Sequence, residues 1–140
     1  MLGRTPHSEP TWTAERFFNL LQRLGPLRIV TAAGPSVFDA RCEVGPRDFT
    51  DGALNIVTPD YHWNLALDRF RHLRSVVRTH PRSGNRTAFF ELRDDDTAEP
   101  FLRIYLSAEA ADQPASPAAH SFEAAHAALQ RGADVALEPA

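Results

Sequence analysis

Between Tyr61 and Leu106 the sequence alternates apolar and polar residues almost without pause, and this constrains the fold more than any other feature. Tyr61-His62-Trp63-Asn64-Leu65-Ala66-Leu67 is closed by Asp68, and a basic segment runs from Arg69 to His80. A turn follows at Pro81-Arg82-Ser83-Gly84-Asn85, then two apolar runs, Arg86 to Arg93 and Phe101 to Leu106. Period-2 alternation with β-branched and aromatic enrichment predicts four strands, and the short turn-rich gaps predict that they pair antiparallel. Charge is unevenly spread along this stretch. The span from Arg69 to Arg86 holds six of the fifteen arginines and no acid, so it carries +6 against −9 for the rest of the chain.

The two sides of each predicted strand differ in character. Leu102, Ile104 and Leu106 oppose Phe101, Arg103 and Tyr105, whereas Ala88, Phe90 and Leu92 oppose Thr87, Phe89 and Glu91. In the basic strand Leu73, Ser75 and Val77 oppose His72, Arg74, Val76, Arg78 and His80. The aliphatic sides gain roughly 25 cal/mol per Å² when buried, so they belong against a core. The other sides then share one surface, basic along one strand and aromatic along the next two. Such a surface suits a flat apolar ligand with acidic groups, or a nucleic acid. The competing account is that these arginines are simply solvated on an outer sheet face.

A chain of 140 residues is long enough for one domain with a real core. The net charge of −3 argues against a dedicated nucleic-acid protein with a wholly basic surface. No apolar run approaches the length of a membrane span, and the first residues lack the apolar centre of a signal peptide. The single cysteine, Cys42, has no internal disulfide partner and reads as a small buried hydrophobe. A cytoplasmic location is expected. All fifteen basic residues are arginine, which favours planar, bidentate contacts to carboxylates.

In chain order, residues 1–10 read as a flexible leader, 11–132 as the domain and 133–140 as a flexible tail. Thr13 is placed to cap a helix whose apolar stripe is Phe17, Phe18, Leu20, Leu21 and Leu24, with Gly25-Pro26 as its stop. Leu27–Ala32 and Val37–Val44 predict a hairpin, residues 45–52 a loop, and Ala53–Val57 a short strand. Residues 107–115 read as a flexible connector. Ser116-Pro117 opens a closing helix with Phe122, Ala125, Ala128 and Leu129 inward, ended by Gly132. The fold class is therefore α+β: an antiparallel sheet flanked by an N-terminal and a C-terminal helix.

Motifs for common enzymatic chemistry are missing. There is no Gly-x-Ser-x-Gly, no phosphate-cradling glycine loop and no dinucleotide fingerprint, and Asp94-Asp95-Asp96 reads as a solvated turn. The histidines at 7, 62, 72, 80, 120 and 126 show no helical i,i+4 zinc spacing. His72 and His80 share a strand side but lie about 26 Å apart along it, too far to hold one ion. His80 stands out because Pro81 holds its backbone extended, between Arg78 and Arg82 at the end of the basic strand.

The residues from Phe17-Phe18-x-Leu20-Leu21 through Leu65-x-Leu67 to about residue 130 resemble, in order, the HemS/ChuX-type haem-utilisation family. The tightest part is Ser75-Val76-Val77-Arg78-Thr79-His80-Pro81 leading into Phe89-Phe90-Glu91-Leu92, with Arg103-Ile104-Tyr105 as the next strand. The resemblance implies a haem lying over the outer sheet face. His80 then stands where the family can carry a lysine near a propionate, and Tyr105 where it carries a haem-contacting tyrosine. Two positions depart from the pattern: an arginine of the family falls at Ala108, and the axial histidine of two-repeat members falls near Glu15.

The resulting expectation is a haem-binding protein for haem storage, delivery or detoxification. Arg74, Arg78 and Arg82 would serve the propionates, Phe89 and Tyr105 would cover the macrocycle with Arg103 beside them, and His80, or alternatively His72, would ligate the iron. The alternative is a non-enzymatic module binding single-stranded nucleic acid or another anionic partner through the same face. Haem degradation ranks third. A single repeat leaves a sheet face or edge uncovered, so a homodimer is expected.

Overall fold

The computed structural model describes the chain except residues 1–10, 51, 70, 95–98, 114 and 139–140, and except the side chains of Ala33, Thr50 and Asp68. The expected leader, most of the acidic turn after Asp94 and the last two residues of the expected tail thus lie outside the described residues.

Thr13 caps α1 (Ala14–Arg23), its side chain accepting a hydrogen bond from the Arg16 N–H at 3.0 Å, with Glu15 in the favourable first turn. Strands β1 (Leu27–Ala33) and β2 (Ser36–Cys42) form the expected hairpin. β6 (His72–Thr79), β7 (Arg86–Arg93) and β8 (Leu102–Leu106) follow the expected order and pairing. With β9 (Val135–Ala136) they make a six-stranded antiparallel sheet ordered β2-β1-β8-β7-β6-β9. Both α1 and α3 (Pro117–Ala128) add their apolar sides to the core on one face of this sheet. The centre of that core is aromatic: Phe90 meets Phe17 at 5.1 Å and Phe122 at 5.0 Å between ring centroids.

Four expectations need correction. The alternating Tyr61–Leu67 segment is not a neighbour of the basic strand. Its strand β5 (His62–Ala66) pairs with β4 (Ala53–Val57), which pairs with β3 (Arg47–Thr50), so the expected 45–52 loop contains a strand. A short 3₁₀ turn at Leu67–Arg69 then carries the chain from this small sheet to β6. Trp63 packs edge-on against Phe18 at 5.9 Å, tying the small sheet to α1.

The expected 107–115 connector holds a short helix, α2 (Ala108–Asp112), capped by Ser107. Asp112 accepts a hydrogen bond from the Arg86 N–H at 3.0 Å, holding α2 at the start of β7. The expected loose tail is not loose over its described part. Leu137 is buried and donates its N–H to Arg71 O at 2.8 Å, while Ala14 N donates to Glu138 O and Glu138 N to Trp12 O, both at 2.9 Å. The alternation of Val135 and Leu137 is too short a run to register as a strand in the sequence.

One buried polar contact pins the closing helix to the sheet. His126 Nδ1 lies 2.7 Å from the Ser75 hydroxyl of β6, and its ring stacks on Phe122 at 5.8 Å. Gly132 follows with φ +104°, where an added Cβ would sit 3.4 Å from Ser75 O, so the exit from α3 favours glycine.

Burial lowers the proton affinity of His126. The Glu123 carboxylate pulls the other way, Arg131 and Arg86 reinforce burial, and the net pKa lies below the ordinary value. The unfolded chain therefore takes this proton first. The contribution is fully present above about pH 6.5 and fades as pH falls through that value toward the folded one. The thermal midpoint of the wild type should drop more steeply between pH 8 and 5 than that of His126→Gln; equal slopes would remove His126 from the account. Phe90→Ala should cost about 3–5 kcal/mol in denaturant unfolding, because it empties the centre of the aromatic core.

Candidate functional site

The outer face of the large sheet can be read directly from the strand registers. One row runs Arg41, Arg28, Tyr105, Phe89, Val76 across β2, β1, β8, β7 and β6. The next runs Asp39, Val30, Arg103, Glu91, Arg74, and on the other side of the Phe89 row Arg78 faces Thr87. Of the residues singled out from sequence, Arg74, Arg78, Phe89, Arg103 and Tyr105 thus share this face.

Glu91 organises the face, and its role becomes visible only once both registers are known. Its side chain is 3% exposed and bridges two strands: Arg74 Nη2 donates at 2.6 Å to Oε1 and Arg103 Nε at 3.0 Å to Oε2. Burial opposes its ionisation, but the hydrogen bonds from Arg103 and Arg74, and then their charges, outweigh that and hold the carboxyl below its usual range. Arg28 forks onto Asp39 through Nε at 2.9 and 2.8 Å. Each guanidinium has five N–H donors, so Arg74 and Arg103 keep donors beyond those used on Glu91.

The aromatic part of the face is a roofed floor. Phe89 is only 2% exposed although it points away from the helices. It stacks on Tyr105 at 4.6 Å with 28° between the ring planes, and the Arg78 guanidinium lies 5.4 Å from its centroid. Arg28 lies 5.2 Å from the centroid of the Tyr105 ring. Phe89 is therefore a base beneath the face, and Tyr105 is the half-exposed aromatic on it.

His80 and Arg82 stand at the tip of the β6–β7 hairpin, both exposed. His80 Nδ1 accepts from Arg82 N at 3.2 Å and from Ser83 N at 3.3 Å, which places the proton of the neutral ring on Nε2. The outward nitrogen is thus a donor. Ligating a metal through Nε2 needs the opposite tautomer, with Nδ1 protonated, and would break both turn contacts. His72 sits at the far end of β6, half-buried, with Nδ1 3.1 Å from the Asp134 carboxylate.

A second concavity lies on the other side of β1 and β2. About 690 Å³ in volume, it is bounded by Ile29, Phe38, Ala40 and Cys42 of the hairpin and by Tyr61 and Trp63 near the small sheet. That volume is within the range of small-molecule sites. The Tyr61 hydroxyl closes one end, donating to Glu43 O and accepting from Gly45 N at 3.2 Å. Burial raises the Cys42 thiol pKa, opposed by a hydrogen bond with Tyr61. Sequence reading missed this cleft because it arises from the small sheet, whose pairing partner was assigned differently.

No family model matches the chain, and no curated protein sequence matches it. Solved structures do. A structure of the haem-binding protein ChuX aligns with a TM-score of 0.69 at 14% identity, covering 84% of this chain and 72% of that one. Proteins from Erwinia carotovora (TM-score 0.68, 14% identity, 83% and 71% covered) and Agrobacterium tumefaciens (TM-score 0.68, 13% identity, 82% and 66% covered) align similarly. The chain has the ChuX fold: α+β, with a large antiparallel sheet and helices at both ends, as the sequence resemblance implies. Among the described residues no helix is long and apolar enough to cross a membrane.

Glu91→Ala should cost about 1–3 kcal/mol, since it strands two arginine contacts at a buried position. Because the folded carboxyl has the lower pKa, this contribution is present above about pH 4.3 and lost as pH falls through the folded value. Urea unfolding at pH 7 and again at pH 3 checks both; an equal penalty at the two values would contradict the bridge.

Proposed function

We propose that this protein binds haem on the outer face of the six-stranded sheet and holds it for storage or hand-over inside the cytoplasm. The observation that carries the reading is the half-exposed Tyr105, stacked on buried Phe89, with Arg28 over its own ring, Arg78 over the Phe89 ring, and Arg103 and Arg74 held on Glu91 in the next row of the same face. A flat apolar macrocycle with two carboxylates matches that arrangement in shape and charge. The shared fold with a haem-binding protein supports it.

The geometry supports the following roles. Arg78, with Arg82 and His80 at the hairpin tip, is suited to the propionates, His80 acting through its Nε2–H. Phe89 stiffens the platform from below. Tyr105, whose ring lies on the face, is the side chain we assign to the iron, in place of His80 or His72. When bound, haem supplies the iron chemistry, and the protein supplies orientation, charge and cover.

Hemin titration followed by absorbance, with a protein-free control, tests the reading. A saturable one-site Soret shift is expected. Tyr105→Phe should change the bound spectrum. His80→Ala should leave the spectrum in place and weaken binding about 10- to 100-fold, the size of one charge-assisted hydrogen bond. A changed spectrum in His80→Ala with none in Tyr105→Phe would reverse the two roles. No saturable shift, together with a salt-sensitive gel shift of single-stranded DNA, would replace haem by nucleic acid.

A further inference from the structure

The inner side of the β1–β2 hairpin is only partly taken up by the core. Leu27 and Ile29 of β1 are buried there. Phe38 lies on the same side of β2 as Ala40 and Cys42, yet it is 66% exposed, at the wall of the cleft of about 690 Å³. Tyr61 and Trp63, both half-buried, bound the cleft near the small sheet. Three aromatic side chains thus border one concavity, and one of them is left mostly in water.

Charge around this cleft is one-sided. Arg41 belongs to the outer row of the large sheet, near Asp39, and so stands on the opposite side of β2 from Phe38, Ala40 and Cys42. His62 alternates with Trp63 along β5 and belongs to the opposite side of the small sheet. The two acids of the lining, Glu43 and Asp60, are exposed, and among the described residues neither carboxylate pairs with an arginine or a histidine. The Thr58 hydroxyl holds the turn at Asp60, accepting from Asp60 N at 3.2 Å and from Tyr61 N at 3.1 Å. The Glu43 charge reaches the Tyr61 end of the cleft. Burial raises the Tyr61 hydroxyl pKa, the Gly45 N–H opposes this, and Cys42 and Glu43 add to the rise.

We propose that the cleft binds an organic cation, an amine or quaternary ammonium carrying an apolar body. Aromatic side chains attract a cation through the negative faces of their rings, and they do so best where water is partly excluded. Phe38, Tyr61 and Trp63 supply that aromatic surface, with Ile29 and Ala40 as apolar floor for the body of the ligand. Glu43 and Asp60 supply the countercharge at the mouth. An anion finds no partner on this side, because Arg41 and Arg28 stand in the outer row. The two sides of the same hairpin therefore select opposite charges: arginines toward the outer face, carboxylates and aromatic rings toward the cleft.

Isothermal titration of the chain, free of haem, with benzyltrimethylammonium tests the site. Benzyl alcohol and phenylacetate carry the same ring with no charge and with a negative charge. Saturable one-site binding of the cation is expected below millimolar concentration, about 10-fold tighter than benzyl alcohol, with phenylacetate weaker still. Glu43→Gln together with Asp60→Asn should weaken the cation about 3- to 10-fold and leave benzyl alcohol unchanged. Phe38→Leu keeps an apolar wall but removes the ring, and should weaken the cation about 2- to 5-fold. All three positions are exposed, so the thermal midpoint should barely move.

No saturable binding of the cation up to millimolar concentration overturns the proposal. So does equal affinity for benzyl alcohol, which would make the cleft merely apolar, or tighter binding of phenylacetate. Full affinity in the Glu43→Gln, Asp60→Asn protein would place the cation elsewhere and overturn it too. If a variant fails to fold, the comparison of the three ligands on the wild type decides alone. No hemin is present in any of these titrations, so the outcome is independent of whether the outer face binds haem.

Discussion

Strand β7 is buried on both sides, and the rest of the structure depends on how its two sides are covered. On one side Phe90 lies between Phe17 of α1 and Phe122 of α3, Ala88 and Leu92 are buried in the same core, and α2 also packs on this strand. On the other side Phe89 and Glu91 are as fully buried, yet no part of the main core reaches them. The Arg78 guanidinium and a stacked tyrosine lie against the ring, and two guanidiniums neutralise the carboxylate. A buried carboxylate is tolerable only where such partners are fixed. The charged groups that make the outer face attractive to an anion are therefore also what holds the middle of the sheet together.

That coupling limits how the face can change. Arg74 and Arg103 cannot swing freely toward a ligand without leaving Glu91 exposed to its desolvation cost. They are better suited to donating from where they stand. Arg78, over the Phe89 ring, and Arg82, at the hairpin tip, carry no such obligation to Glu91. An incoming carboxylate would meet a rigid centre and a more adaptable rim.

The sequence made the central strands legible because their alternation is long and their turns are short. β6, β7 and β8 pair in the order that the Pro81–Asn85 turn and the short gap after β7 imply, and the two sides of each strand were separable from period alone. What period could not show was partnership. Tyr61–Leu67 is a clear strand by pattern, but nothing in it says that it joins β4 and not β6; the three-residue 3₁₀ turn that separates them carries no strong punctuation. Glu91 was visible as an outer residue, whereas its role depends on having Arg74 on one side and Arg103 on the other, which only register supplies. His80 was singled out for its neighbours. Its direction of hydrogen bonding depends on two backbone groups of the turn, Arg82 N and Ser83 N, that no side-chain pattern encodes.

The clasp between Trp12–Ala14 and Leu137–Glu138 bears on connectivity itself. Two backbone hydrogen bonds hold the first and last described segments side by side, with Leu137 fastened to Arg71 just ahead of β6. Little loop-closure entropy remains to be lost in joining those segments covalently. A chain whose order is rearranged by a short link from Glu138 to Trp12, and opened instead at the exposed Arg82–Gly84 tip, would keep every strand neighbour it has now. The arrangement of the elements in space, and not their order along the chain, is what this fold specifies.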